Sequence, residues 1–218
     1  VFSKGYGQAD REKQKPITDQ TRFYLGSLTN QFTASAIMLL EQEGKLSLED
    51  DVRKHIPELP DLGQVVTIKN ILNHTNGWRE VYNMMPIKGW YGEDRLLKQE
   101  VIRILQAQTE LQAEPNTEYN YNNSAFIMAA EIVERVSGET FPDFVKKNIF
   151  EPLGMEQSFV RKDPSTIIPN ATQGYTMKDA AFVESGDLDA AYGAGAIYTT
   201  PADLALWMNN FESARVGG

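Results

Sequence analysis

A serine hydroxyl and an asparagine amide stand one helical turn apart in Gly26-Ser27-Leu28-Thr29-Asn30-Gln31-Phe32-Thr33. Residues three apart share a helix face and a helix start favours developing negative charge, so Ser27 is placed to serve as a nucleophile. No base accompanies it. The Asn30 amide forms hydrogen bonds but does not titrate, so it cannot take the hydroxyl proton. Taken alone, a serine at this position reads as a helix cap. A second group of polar side chains follows in Tyr119-Asn120-Tyr121-Asn122-Asn123-Ser124, where phenols and amides lie together. His74 is of a type that exchanges protons near neutrality, which makes it a candidate replacement base. Trp78, Tyr82, Trp90 and Tyr91 read first as packing and second as the wall of a binding site.

The elements that must hold these groups follow from periodicity and punctuation. Between Ser27 and Glu43 the apolar residues Leu28, Phe32, Ala36, Leu39 and Leu40 recur at helical spacing, and Gly44 is a stop signal. Short helices are expected over residues 48–55 and 68–73, the second capped by Thr67. The stretch from His74 to Glu93 has no sustained period and predicts a long, aromatic-rich loop. Further helices are predicted over 97–108, over 124–136 with Gly138 as stop, and from Thr140 to Pro152. The last begins at Thr200, with Pro201 in its first position and Asp203 three residues beyond the cap. Strand patterns are few: one opening at Val1, one over 158–160, and one over 174–183 broken by a turn at Lys178-Asp179. An edge strand with so few neighbours predicts pairing with another chain or with segments beyond these residues.

Composition narrows the classes. At 218 residues with 41% hydrophobic side chains the chain can bury a proper core. Its formal charge of -9 disfavours nucleic acid and anionic membranes, leaving small molecules or neutral polymers as partners. No apolar run is long enough to predict a membrane span. The chain has no cysteine and only His55 and His74, so thiolate chemistry is excluded and no metal site or cofactor is expected.

Five segments in order carry a resemblance: Arg22 to Ala34, Ile71-Leu72-Asn73-His74-Thr75-Asn76-Gly77, Tyr119 to Ser124, Pro152-Leu153-Gly154-Met155, and Gly193 to Leu204. Together they resemble the serine β-lactamase and penicillin-binding-protein-like family, nearest the class C type with its D-Ala-D-Ala carboxypeptidases and related esterases. The resemblance implies an α+β fold of the β-lactamase/transpeptidase type. Residues 1–47 and 185–218 would belong to an α/β domain with an incomplete antiparallel sheet, and residues 48–184 to a mainly helical insertion. It also implies acyl transfer in a cleft between the two, with a β-lactam, D-alanyl peptide or ester acylating a serine. On that alignment Ser27 is the nucleophile, Tyr121 moves the proton, and Asn123 orients substrate. Trp78, Trp90 and Tyr91 would shape the acyl pocket, and His74 falls on a structural position. The family implies a bacterial, periplasmic or extracellular setting, although no leader is visible.

Two departures qualify the resemblance. Asn30 occupies the position of the lysine in S-x-x-K, which in the family accepts the serine proton and lowers the pKa of its neighbours. Losing such a group costs about 10²- to 10⁴-fold. The asparagine reads equally as a natural loss and as a deliberate replacement. The family's final K-T-G or H-x-G strand, which supplies an oxyanion-hole N–H, and its opening helix and strand also fall outside these residues. The expectation is a serine hydrolase impaired in this form; the alternative is a pseudoenzyme that binds a peptidoglycan-like or peptide ligand without turning it over.

Overall fold

The structure is a computed structural model that describes residues 3–89, 96–185 and 192–217. Its elements are β1 (Gln8–Asp10), β2 (Lys15–Pro16), β3 (Phe23–Tyr24), α1 (Thr29–Gln42), α2 (Ile68–Leu72), α3 (Val81–Ile87), α4 (Lys98–Gln106), α5 (Asn123–Ser137), α6 (Phe141–Val145), α7 (Glu151–Leu153), β4 (Phe159–Val160), β5 (Gly174–Lys178), β6 (Ala181–Ser185), β7 (Ile197–Thr199) and α8 (Pro201–Asn209). The class is α+β, as the resemblance implied.

Helix α1 lies at the centre because its apolar stripe is continuous. Phe32, Ala36, Ile37 and Leu40 are fully buried and face α5, whose residues Ala125 to Val133 are buried on nearly every side. A helix buried on so many sides is a core helix. Phe32 packs at 4.4 Å, tilted by 31°, on Trp207 of α8 and edge-on at 5.6 Å against Phe150, tying the C-terminal helix to the first. Punctuation in the sequence sets the ends. Thr67 makes a reciprocal capping box with Asn70, Thr140 and Thr200 cap α6 and α8, and Gly138 closes α5 in the left-handed conformation at φ +76°.

Strand β7 is central to an antiparallel sheet of order β3-β7-β4, with Tyr24 and Phe159 both opposite Tyr198. This sheet takes a strand from within the residues 48–184 that the resemblance assigned to the helical part. Strands β5 and β6 form an exposed hairpin, and β1 pairs with β2.

Several local expectations are corrected. Residues 3–6 form no strand; the first strand is β1, because Lys15–Pro16 gives it a partner only from Gln8 onward. The helix expected over 48–55 shrinks to one 3₁₀ turn, Val52–Lys54, capped by the Asp51 carboxylate. The predicted loop after His74 contains α3, whose N-terminus is capped by Glu80. Pro152 does not end the helix that begins at Phe141. The chain continues through one π-helical turn, Lys146–Phe150, into α7, where Pro152 sits in the first turn and needs no donor. Strand β7 was missed because three residues, buried throughout, carry no alternation. Among the described residues no helix is long and apolar enough to cross a membrane.

Candidate active site

Strand β3 runs into a single 3₁₀ turn, Gly26–Leu28, that opens α1, and Ser27 sits in the middle of that turn. The turn is anchored to the sheet by the Leu25 N–H, which donates to the Ile197 carbonyl at 2.9 Å. Gly26 permits the entry because its φ is +52°, a conformation costly for a side chain. Neither the turn nor α1 has a side-chain cap. Ser27 is exposed, and among the described residues its hydroxyl is engaged by no partner. The capping role that a lone serine suggests is therefore not the one it performs.

One turn on, the Asn30 Nδ2 donates to the Tyr121 hydroxyl at 3.2 Å. The two positions that the resemblance pairs are thus brought together across 91 residues of sequence. The other end of the same amide is unsatisfied: Asn30 Oδ1 is buried and has no hydrogen-bond partner. An orphaned buried acceptor costs about 1–3 kcal/mol. The arrangement offers Ser27 no group at position 30 that can accept a proton.

Tyr121 is 43% exposed, and the ring behind it is His74, at a centroid distance of 4.5 Å. His74 also meets Tyr119 at 5.6 Å and Phe126 at 5.0 Å. Its Nδ1 accepts the Asn122 N–H at 3.0 Å, and its carbonyl accepts the Asn120 N–H at 2.8 Å. The proton of the neutral ring therefore resides on Nε2. Burial pushes the imidazole below its ordinary range. A ring held neutral, with one nitrogen already occupied, is a brace for Tyr121 rather than a replacement base. Its φ of +58° shows the same constraint in the backbone.

Asn122, the middle residue of Tyr121-Asn122-Asn123, is the hidden anchor. Its Oδ1 caps α5 through the Ala125 N–H at 2.9 Å, while its Nδ2 donates to the Trp78 carbonyl at 2.7 Å. Asn123 begins α5, and its Nδ2 donates to Glu80 Oε1 at 3.0 Å while its backbone N–H donates to Glu80 Oε2. Sequence reasoning passed over both Asn122 and Glu80. A cap signal marked Asn122, but Glu80 became visible only once α3 existed for it to cap.

Trp78 is 5% exposed, so its indole belongs to the core and its backbone serves the site. Trp90 and Tyr91 lie outside the described residues. The Gly193-Ala194-Gly195 segment packs tightly. A Cβ on Gly193 would lie 2.4 Å from the Phe126 carbonyl, and one on Gly195 would lie 2.3 Å from the Tyr24 hydroxyl. Thr33 Oγ1, one turn beyond Asn30, donates to the Gly193 carbonyl at 2.7 Å. Among the described residues no three histidine, aspartate or glutamate side chains gather as a metal site requires.

Known proteins resemble this chain in sequence and in fold. The chain is 29% identical over 232 residues to penicillin-binding protein 4* of Bacillus subtilis, a match covering 98% of this chain and 51% of that protein. The octameric penicillin-binding protein homologue from Pyrococcus abyssi superposes with a TM-score of 0.87 at 29% identity, over 99% of this chain and 51% of that one. The D-amino acid amidase from Ochrobactrum anthropi SV3, in complex with L-phenylalanine amide, superposes with a TM-score of 0.81 at 27% identity, over 96% of this chain and 61% of that one. The chain thus spans about half the length of the relatives it matches. Residues 1–217 match the family described as Beta-lactamase, and the chain belongs to that family.

Proposed function

We propose that this chain carries the nucleophile-bearing part of a penicillin-binding-protein-like serine hydrolase that transfers an acyl group from an amide or ester. Ser27 is the nucleophile, Tyr121 its proton-transfer partner, and Asn123 the group that orients substrate. The bond between Asn30 and Tyr121 carries the reading, because it joins the serine-bearing turn to the tyrosine that would relay the proton. Substrates in this reading are β-lactams, D-alanyl peptides or D-amino acid amides and esters, in line with what the similar proteins are named for.

Asn30 leaves this form impaired, since an amide cannot accept the Ser27 proton. Incubation with a β-lactam or a p-nitrophenyl ester, followed by intact mass measurement, tests this. A slow or absent adduct is expected for the chain as it stands. Asn30→Lys is expected to raise the acylation rate by at least about a hundredfold, with the mass added at Ser27. Rapid stoichiometric acylation of the unaltered chain would refute the impairment, and acylation at another residue would refute the nucleophile.

The non-titrating Asn30 also favours a second reading, a cleft that binds a peptidoglycan-like or peptide ligand without turnover. That reading requires saturable binding that survives Ser27→Ala, with no covalent adduct even after Asn30→Lys.

A further inference from the structure

The bonds around Glu80 determine which way the Asn123 amide faces. A carboxylate offers lone pairs and no hydrogen, so of the two ends of the amide only the NH₂ can meet it. Glu80 Oε1 accepts that NH₂ at 3.0 Å, and also the Tyr82 N–H at 3.2 Å, while Oε2 accepts the Asn123 backbone N–H. The Asn123 carbonyl oxygen is then left facing away from Glu80. Among the described residues it has no hydrogen-bond partner, yet it is not enclosed. Glu80 is also the only formal charge hydrogen-bonded to Asn30, Tyr121, Asn122 or Asn123 among the described residues. With asparagine at position 30, no cation among the described residues pairs with it.

We infer that Glu80 is a positioning residue that sets substrate polarity: it turns Asn123 so that its carbonyl accepts an N–H from the substrate, selecting acyl donors that bear an α-amino group. This rests on Asn123 being the substrate-orienting residue. An amide turned the other way would offer an N–H and favour substrates presenting a carbonyl instead. Loss of a matched polar partner discriminates about tenfold or more.

The isosteric substitution Glu80→Gln tests the assignment. In it, the oxygen that remains can accept the Asn123 backbone N–H only if the new NH₂ takes the place of Oε1. That orientation gives up the longer bond, from the Tyr82 N–H at 3.2 Å, to keep the shorter one from the Asn123 N–H, and its NH₂ meets the Asn123 side chain, so that the amide turns its carbonyl inward. Binding of D-phenylalanine amide and of 3-phenylpropionamide, which differ by the α-amino group, is measured by calorimetry at neutral pH. The unaltered chain is expected to bind the amine at least about tenfold more tightly, and Glu80→Gln to reduce that preference below about threefold or reverse it. An unchanged ratio in Glu80→Gln, or no preference in the unaltered chain, would overturn the inference. Because Glu80 also caps α3, Asn123→Ala is measured alongside. It should abolish the preference, and adding Glu80→Gln to it should change the ratio no further; a further change would mean that Glu80 acts on the amine directly. A failed acylation assay removes the hydrolase reading, but these binding ratios still decide the role of Glu80.

Discussion

Asn30 and Tyr121, far apart in sequence, share a 3.2 Å hydrogen bond whose donor is an amide that cannot exchange a proton. This geometry would support a proton relay if position 30 held a base. It follows that Tyr121→Phe should behave differently in two backgrounds. In the chain as it stands, acylation should change less than about threefold, since the relay is already broken. In Asn30→Lys, the same change should lower acylation by about 10²- to 10⁴-fold. Single-turnover rates with a chromogenic ester provide the comparison, and equal losses in both backgrounds would exclude a relay through Tyr121.

His74 makes stability depend on pH. Its folded-state pKa lies below its ordinary value of 6.5 because burial disfavours the imidazolium. Below about 6.5 the unfolded chain binds a proton that the folded chain does not, so this contribution to stability is full above that pH. It declines as pH falls from there toward the folded pKa. The thermal midpoint of the unaltered chain minus that of His74→Gln should therefore shrink between pH 7.5 and 5. A constant difference would show that His74 is not buried neutral.

Gly193 should not tolerate alanine. Its φ is +110°, and a Cβ would lie 2.4 Å from the Phe126 carbonyl and 2.7 Å from the Ala130 methyl. The displaced segment carries the carbonyl that Thr33 binds and leads into β7. Gly193→Ala is expected to lose about 2 kcal/mol or more in urea unfolding. Gly63, with nothing near its Cβ position, is the control for strain without a clash.

Lys98 bridges Glu131 and Glu134, and all three side chains are largely buried. Glu134 also accepts the Tyr192 hydroxyl at 2.6 Å and the Phe141 N–H at 2.8 Å. Burial favours protonation of Glu134, yet Lys98 and these donors hold its pKa below the ordinary carboxylate value. Lys98→Met would leave the buried Glu134 carboxylate without its cation and the adjacent Glu131 with Arg135 alone, at a cost of about 3–5 kcal/mol. Chemical denaturation at pH 7 and pH 4 should show the larger loss at pH 7, where both carboxylates repel.

Much of this molecule was legible in its residues. The span of α1, the caps at Thr67, Thr140 and Thr200, and the stop at Gly138 follow from local rules, because each depends on neighbours within a turn or two. Five ordered motifs pointed to the family and to Ser27, Tyr121 and Asn123. What local rules could not supply was pairing at a distance. Strand β7 exists because β3 and β4 flank it, and α3 lay unseen within what read as a loop. The Trp78 indole belongs to the core, in keeping with the first of the two readings of its aromatic neighbourhood, packing before pocket wall.

The amino-acid sequence by itself determined that a serine heads the central helix and that the residue one turn on is an amide without a proton to exchange. Tertiary structure alone decided that this amide meets Tyr121, that His74 is a buried brace rather than a base, and that Glu80 sets the facing of Asn123. The reason is physical: side-chain identity fixes what a group can donate or accept, whereas its partner and its burial depend on which distant segments the core brings together.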